Sequence, residues 1–131
     1  MNSTSAAAAQ VLIVDDNEDA AMSLSLLLEL EDILAASVPD AEAALQYVQG
    51  ATPKLLLIDI GLPGMNGYEL AMRLRKLPTL QTATLIALSG RDDNADPASG
   101  TTFDQFWTKP FDPKQLLVEV RRILSRHSSS A

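Results

Sequence analysis

The stretch Leu55-Leu56-Leu57-Ile58-Asp59-Ile60-Gly61-Leu62-Pro63-Gly64-Met65-Asn66-Gly67-Tyr68 decides the fold. Four apolar residues lead into one carboxylate, and a loop with three glycines and a proline follows. A run apolar on both faces predicts a central strand of a parallel sheet, because such strands are covered from both sides. Asp59 then lies where the strand leaves the sheet. Ligands in open α/β sheets gather beyond the carboxyl ends of the strands, so this carboxylate is a candidate for chemistry.

Working outward, Val11-Leu12-Ile13-Val14 is a second apolar run, ending in Asp15-Asp16. Asn17 can cap the helix that follows, and Glu18 and Asp19 suit its first turn. Met22, Leu24, Leu27, Leu28 and Leu30 supply that helix with a wide apolar face. A weaker strand is predicted from Ile33 to Val38, stopped by Pro39. Asp40 caps a second helix with Ala41, Ala44, Leu45 and Val48 on its stripe, and Gly50 is placed to end it. After the Asp59 loop, Leu70, Leu74 and Leu77 share a third helical face, with Arg73, Arg75 and Lys76 toward solvent and Pro78 as the stop. Thr84-Leu85-Ile86-Ala87-Leu88-Ser89 reads as a strand ending in a hydroxyl, and Gln105-Phe106-Trp107-Thr108 as one ending at Lys109-Pro110. Asp112-Pro113-Lys114-Gln115 opens the last helix with a cap, proline at the first position and glutamine at the third. Leu116, Leu117, Val120, Ile123 and Leu124 form its core face.

Strands and helices alternate along the whole chain, which predicts a doubly wound five-stranded parallel sheet with helices on both faces. The exception is Arg91 to Thr102, rich in Asp, Asn, Ser, Pro and Gly and almost without an apolar stripe, where the fourth helix should be weak or shortened. The 131 residues suit one domain, expected over residues 10–126, with residues 1–9 a disordered tail or linker and 127–131 a second tail. There is no cysteine, which excludes a disulfide framework, a thiolate zinc site and a cysteine nucleophile. The one histidine, His127, falls in the polar tail, which removes Ser-His catalysis. A formal net charge of −7 argues against a nucleic-acid surface, and no run is long enough to span a bilayer. The N-terminal segment also lacks the basic start and apolar core of a signal peptide, so a cytoplasmic protein is expected.

Strand ends now carry Asp15 and Asp16, Asp59, Ser89 and Lys109, and a parallel sheet brings them to one edge. Taken singly, each has an ordinary explanation: a helix cap, a turn residue, a satisfied hydroxyl, a surface salt bridge. Independent turns have no reason to collect three acids, a hydroxyl and a lysine together. Two carboxylates about 4 Å apart repel by roughly 4 kcal/mol at an effective dielectric near 20. A hard divalent cation such as Mg²⁺ relieves this, and Lys109 adds a further positive charge. The set suits phosphoryl transfer to a carboxylate, with Asp59 as nucleophile forming an acyl phosphate.

At these residues the chain resembles a response-regulator receiver domain of two-component signalling, from about Val11 to Leu124. The motifs are Val14-Asp15-Asp16-Asn17, Asp59 to Gly67, Leu88-Ser89-Gly90 and Lys109-Pro110-Phe111. Each is weak alone, whereas all of them in this order and spacing are specific. The resemblance implies a flavodoxin-like strand order 2-1-3-4-5, Asp59 as phosphoacceptor, and Mg²⁺ held by Asp16, Asp59, the Gly61 carbonyl and, through water, Asp15. It implies Ser89 as a switch hydroxyl, Phe106 as a switch aromatic and Lys109 as a phosphate-sensing lysine. The implied partners are a histidine kinase or histidine phosphotransfer domain and a downstream protein, with a monomer or weak dimer as the working form. The early acidic motif and leucine-rich first helix look like receivers attached to hybrid histidine kinases. Gly61 and Gly90 leave the site open, so an exposed phosphoryl group is expected. The competing reading is a magnesium phosphatase or phosphotransferase with an aspartyl-phosphate intermediate. Enzymes of the haloacid-dehalogenase type generally carry a second Asp two residues after the nucleophile, where this chain has Gly61.

Overall fold

Three runs of β-branched and leucine side chains, Val11–Val14 (β1), Leu55–Asp59 (β3) and Thr84–Ser89 (β4), form the buried middle of a parallel sheet. Ala35–Val38 (β2) and Gln105–Thr108 (β5) flank them, giving the order β2-β1-β3-β4-β5 that was expected. The computed structural model describes residues 9–62, 64–90, 102–109 and 111–129, the last three as backbone only. Four helices lie among them: Glu18–Glu29 (α1), Ala41–Gly50 (α2), Gly67–Arg75 (α3) and Pro113–Ser129 (α4). The weak helix expected over Arg91 to Thr102 falls almost wholly on residues outside the described ones.

Alternation of side chains across the pleat divides the core into two layers. Leu12, Val14, Leu56, Ile58, Leu85 and Ala87 pack with α2 and α3 on one face. Val11, Ile13, Leu55, Leu57, Ile86 and Leu88 pack with α1 and α4 on the other. In-register pairing of Val14 with Ile58 and of Asp59 with Leu88 brings the carboxyl ends of the central strands to one edge. Side-chain caps start the helices at that edge: Asn17 Oδ1 accepts the Ala20 N–H, Asp40 Oδ1 the Ala43 N–H and Asn66 Oδ1 the Glu69 N–H. Asp112 Oδ1 accepts the Lys114 N–H at the start of α4.

Several expectations need correction. Met22 and Leu30 are exposed, and the buried side of α1 is built on Ala21 and Leu28, with Leu24 and Leu27 partly covered. Leu24, Leu26, Leu27 and Leu28 spread over more than half the circumference of α1, which hid which face was inward. β2 starts at Ala35, because Asp32 takes a left-handed φ of 62° that delays the strand. Gly50 does end α2 as expected, but without a positive φ, and the chain leaves the helix by an extended Ala51. Ala9 is buried, and α4 runs through Ser129.

Arg75 departs most from its reading as a solvent-facing base. Its guanidinium donates to the carbonyls of Thr102, Leu80, Gln81 and Ala83, the last at 2.6 Å, and pairs with Asp104 Oδ2 at 2.7 Å. The same Asp104 oxygen accepts the Leu85 N–H at 2.8 Å. One side chain thereby ties the end of α3 to the starts of β4 and β5.

Candidate functional site

The ends of β1, β3 and β4 and the residue after β5 supply the site. Asp15 is 4% exposed, and both its oxygens are engaged: Oδ1 accepts the Asn17 N–H and Oδ2 accepts Lys109 Nζ, each at 3.0 Å. Asp59 Oδ1 accepts the Gly61 N–H at 2.8 Å, and its Oδ2 lies 3.6 Å from Lys109 Nζ. Asp16 stands exposed beside them. Ser89 is buried at the end of β4, and its carbonyl accepts the Lys109 N–H at 2.8 Å, which fixes the lysine backbone to that strand.

These contacts set the charge states. Burial pushes the Asp59 carboxyl above the usual aspartate value; the Gly61 N–H and the Lys109 ammonium pull it down, and the Asp15 charge pushes it up again. Burial alone would lower the Lys109 ammonium, but the hydrogen bond to Asp15 and the Asp59 and Asp15 charges outweigh it and hold its pKa above the usual lysine value. The lysine lies as a cation between two acids.

One oxygen from each of Asp15, Asp16 and Asp59 can be chosen so that all lie within 4.8 Å of one another. Two oxygens bound to one Mg²⁺ at about 2.1 Å are at most about 4.2 Å apart, so the donor set fits this ion with a small closure. Asp15, the most buried of the three and hydrogen-bonded through both oxygens, suits contact through a metal-bound water, while exposed Asp16 and Asp59, whose Oδ2 has only the longer 3.6 Å contact with Lys109, suit direct ligation.

The loop after Asp59 depends on Gly67, which sequence reasoning did not single out. A Cβ there would lie 2.7 Å from Ile60 Cα and 2.8 Å from the Asp59 carbonyl oxygen, so only glycine lets α3 begin against the end of β3. Gly61 is exposed, and a Cβ on it would sit 3.5 Å from Asp59 Oδ1, an ordinary contact. Phe106 packs in an aromatic group that also went unforeseen. Its ring centroid is 5.6 Å from Phe103 and 6.4 Å from Tyr68, which are themselves 5.9 Å apart. The chain spacing of these rings, across α3 and β5, carries no local signal.

A doubly wound sheet with clustered acids, a buried hydroxyl and a lysine at its carboxyl edge defines a phosphoacceptor signalling domain. Residues 11–121 match the response regulator receiver domain model, and the chain belongs to that family, whose members are phosphorylated on an aspartate. It is 37% identical over 109 residues to a 14.6 kDa protein of Leptolyngbya boryana, covering 82% of this chain and 83% of that one. It is 34% identical over 118 residues to the sensory transduction protein RegX3 of Mycobacterium tuberculosis, covering 88% of this chain but only 51% of RegX3. The chain thus spans about half the length of that relative. Among solved structures, the response regulator TrrA of Thermotoga maritima in complex with Mg²⁺ and BeF superposes with a TM-score of 0.78 at 25% identity, over 88% of this chain and 98% of that one.

Proposed function

We propose that Asp59 is the aspartate that receives the phosphoryl group, that Asp16, Asp59, the Gly61 carbonyl and, through water, Asp15 hold Mg²⁺, and that Lys109 and Ser89 contact the phosphoryl oxygens. The observation that carries this reading is the Lys109 ammonium set between the Asp15 and Asp59 carboxylates at the mouth of the sheet. An Asp59 oxygen attacks phosphorus in line; the O–P bond forms as the N–P bond of a phosphohistidine breaks, and the departing imidazole nitrogen takes up a proton. Bound Mg²⁺ supplies charge neutralisation for the non-bridging oxygens. Lys109 is already held in place by Asp15, so little reorganisation is needed to meet the developing charge. The Ser89 hydroxyl, buried beside the site, donates to a phosphoryl oxygen, and Phe106 and its aromatic neighbours respond to that shift.

The same residues support a signalling phosphoacceptor whose acyl phosphate forms and hydrolyses on the domain itself. The partner that delivers the phosphoryl group is a histidine kinase or phosphotransfer domain. An open, mainly apolar groove of ≈ 500 Å³ beside Asp15 and Lys109, between α1 and the start of α4, offers its helix a seat. Incubation with acetyl phosphate and Mg²⁺, followed by intact mass, tests the reading. A single phosphate adduct that disappears in Asp59→Asn is the expected result. Steady turnover of small phosphate esters would instead favour the phosphatase.

A further inference from the structure

Six large apolar side chains stand out as exposed among the described residues, and four of them follow one another along α1 and past its end: Met22 and Leu26 on α1, Leu30 at its C-cap and Leu34 four residues on, at 60%, 54%, 79% and 43% exposure. Steps of four residues place the first three in a single row down the helix, about 12 Å long. The row is opposite the face that α1 buries through Ala21 and Leu28. Nothing in the packing of the domain needs apolar residues there, since polar ones would serve the fold equally well. A contiguous exposed row of this kind marks an interaction surface.

Charge selects the occupant. Asp19 lies one turn before Met22, and Glu29 one turn beyond Leu26; both are exposed, and α1 carries no lysine or arginine. Beyond the helix, Glu31 is already paired with Arg121 of α4. A second copy would set these acids against themselves on a chain of net charge −7, and an anionic membrane would be repelled in the same way. A helix with an apolar row between lysines and arginines satisfies both features.

None of the row lines the groove between α1 and α4, although Met22 at its upper end borders a second pocket that reaches Asp15. That groove takes Ala20, Ser23, Leu24 and Leu27 from a different side of α1. The row instead descends toward Leu34, whose carbonyl accepts the N–H groups of Gln10 and Val11 at the opposite end of the sheet from Asp59. We propose that the outer row of α1 is a second docking surface, which holds a basic amphipathic helix of a protein partner while leaving Asp59 open to its phosphodonor. This goes beyond the phosphoacceptor reading, and only the clause on Asp59 rests on it.

The test titrates the ¹⁵N-labelled full chain with two synthetic amphipathic helices that share one leucine row, flanked by lysines in one and by glutamates in the other. The lysine helix should shift amides of residues 22–34 saturably and more weakly as salt rises, while the glutamate helix should not bind. Leu26→Ser, and separately Asp19→Lys with Glu29→Lys, should each weaken binding by roughly tenfold. Labelling of Asp59 by acetyl phosphate should proceed at the same rate with the lysine helix bound. The proposal is overturned if both helices bind alike, if the shifts map elsewhere, or if Leu26→Ser leaves the affinity unchanged. Concentration-dependent self-association of the free chain that Leu26→Ser abolishes would overturn it in favour of a second copy, and binding to anionic vesicles in favour of a membrane.

Discussion

Lys109 and Arg75 both place a cation among acceptors at an edge of the sheet, with opposite balances. Arg75 meets one carboxylate and four backbone carbonyls, so each charge and most donors have partners. Lys109 faces three carboxylates, one of them exposed, and satisfies only two. The Arg75 junction is closed and holds α3, β4 and β5 together. The Lys109 cluster is left anionic, which is the condition for taking up a divalent cation and then an electrophilic phosphorus. A complete set of partners marks structure here, and a deficit of positive charge marks chemistry.

Exchanging the two cations separates the roles. Lys109→Gln should slow phosphorylation by acetyl phosphate roughly a hundredfold while the domain stays folded, since a preplaced charge in a transition state is worth about that factor. An unchanged rate in an intact-mass time course would break the comparison. Arg75→Ala should do the reverse, lowering stability by about 2 kcal/mol through stranded carbonyls and an unpaired Asp104, a drop of several degrees in Tm, with the folded protein still labelled. The half-exposed Asp104 keeps this below the cost of a fully buried pair.

Two smaller effects sharpen the picture. Without Mg²⁺, Asp59→Asn should raise stability modestly at neutral pH, because burial and the neighbouring acid disfavour the ionised carboxylate. The sign follows from a folded-state pKa above the unfolded one: the penalty is absent below the unfolded value near 3.8 and develops as pH rises through the folded value. Thermal melts of both proteins across that range would show a difference that vanishes in acid, and coincident curves would contradict it. Gly61→Asn should lengthen the acyl-phosphate lifetime only a few-fold, by placing a side chain where water approaches Asp59. The position tolerates a Cβ, so decay followed by mass should change with little shift in Tm.

The sheet was legible because β1, β3 and β4 are apolar on both faces and end abruptly in polar groups, which is a local pattern. The assembly of Asp15, Asp16, Asp59, Ser89 and Lys109 followed from topology once those ends were known to share an edge. What stayed hidden depends on partners distant in the chain or on backbone. The acceptors of Arg75 are mostly carbonyls, which no residue code reveals. Gly67 is required by the proximity of β3 rather than by its own turn. The exposure of Met22, Leu26 and Leu30 was masked by composition, since leucines spread over more than half of a helix do not announce which of them lie inside.

The Lys109–Asp15 contact joins residues 94 positions apart, the first strand of the domain to the residue after the last. Closing so long a loop is among the slower events of folding, and here the ammonium arrives only when β5 has docked against β4. A chain still emerging from the ribosome would hold Asp15, Asp16 and Asp59 but lack the lysine that completes the set. The three carboxylates therefore gain their counter-charge only once β5 has joined the sheet.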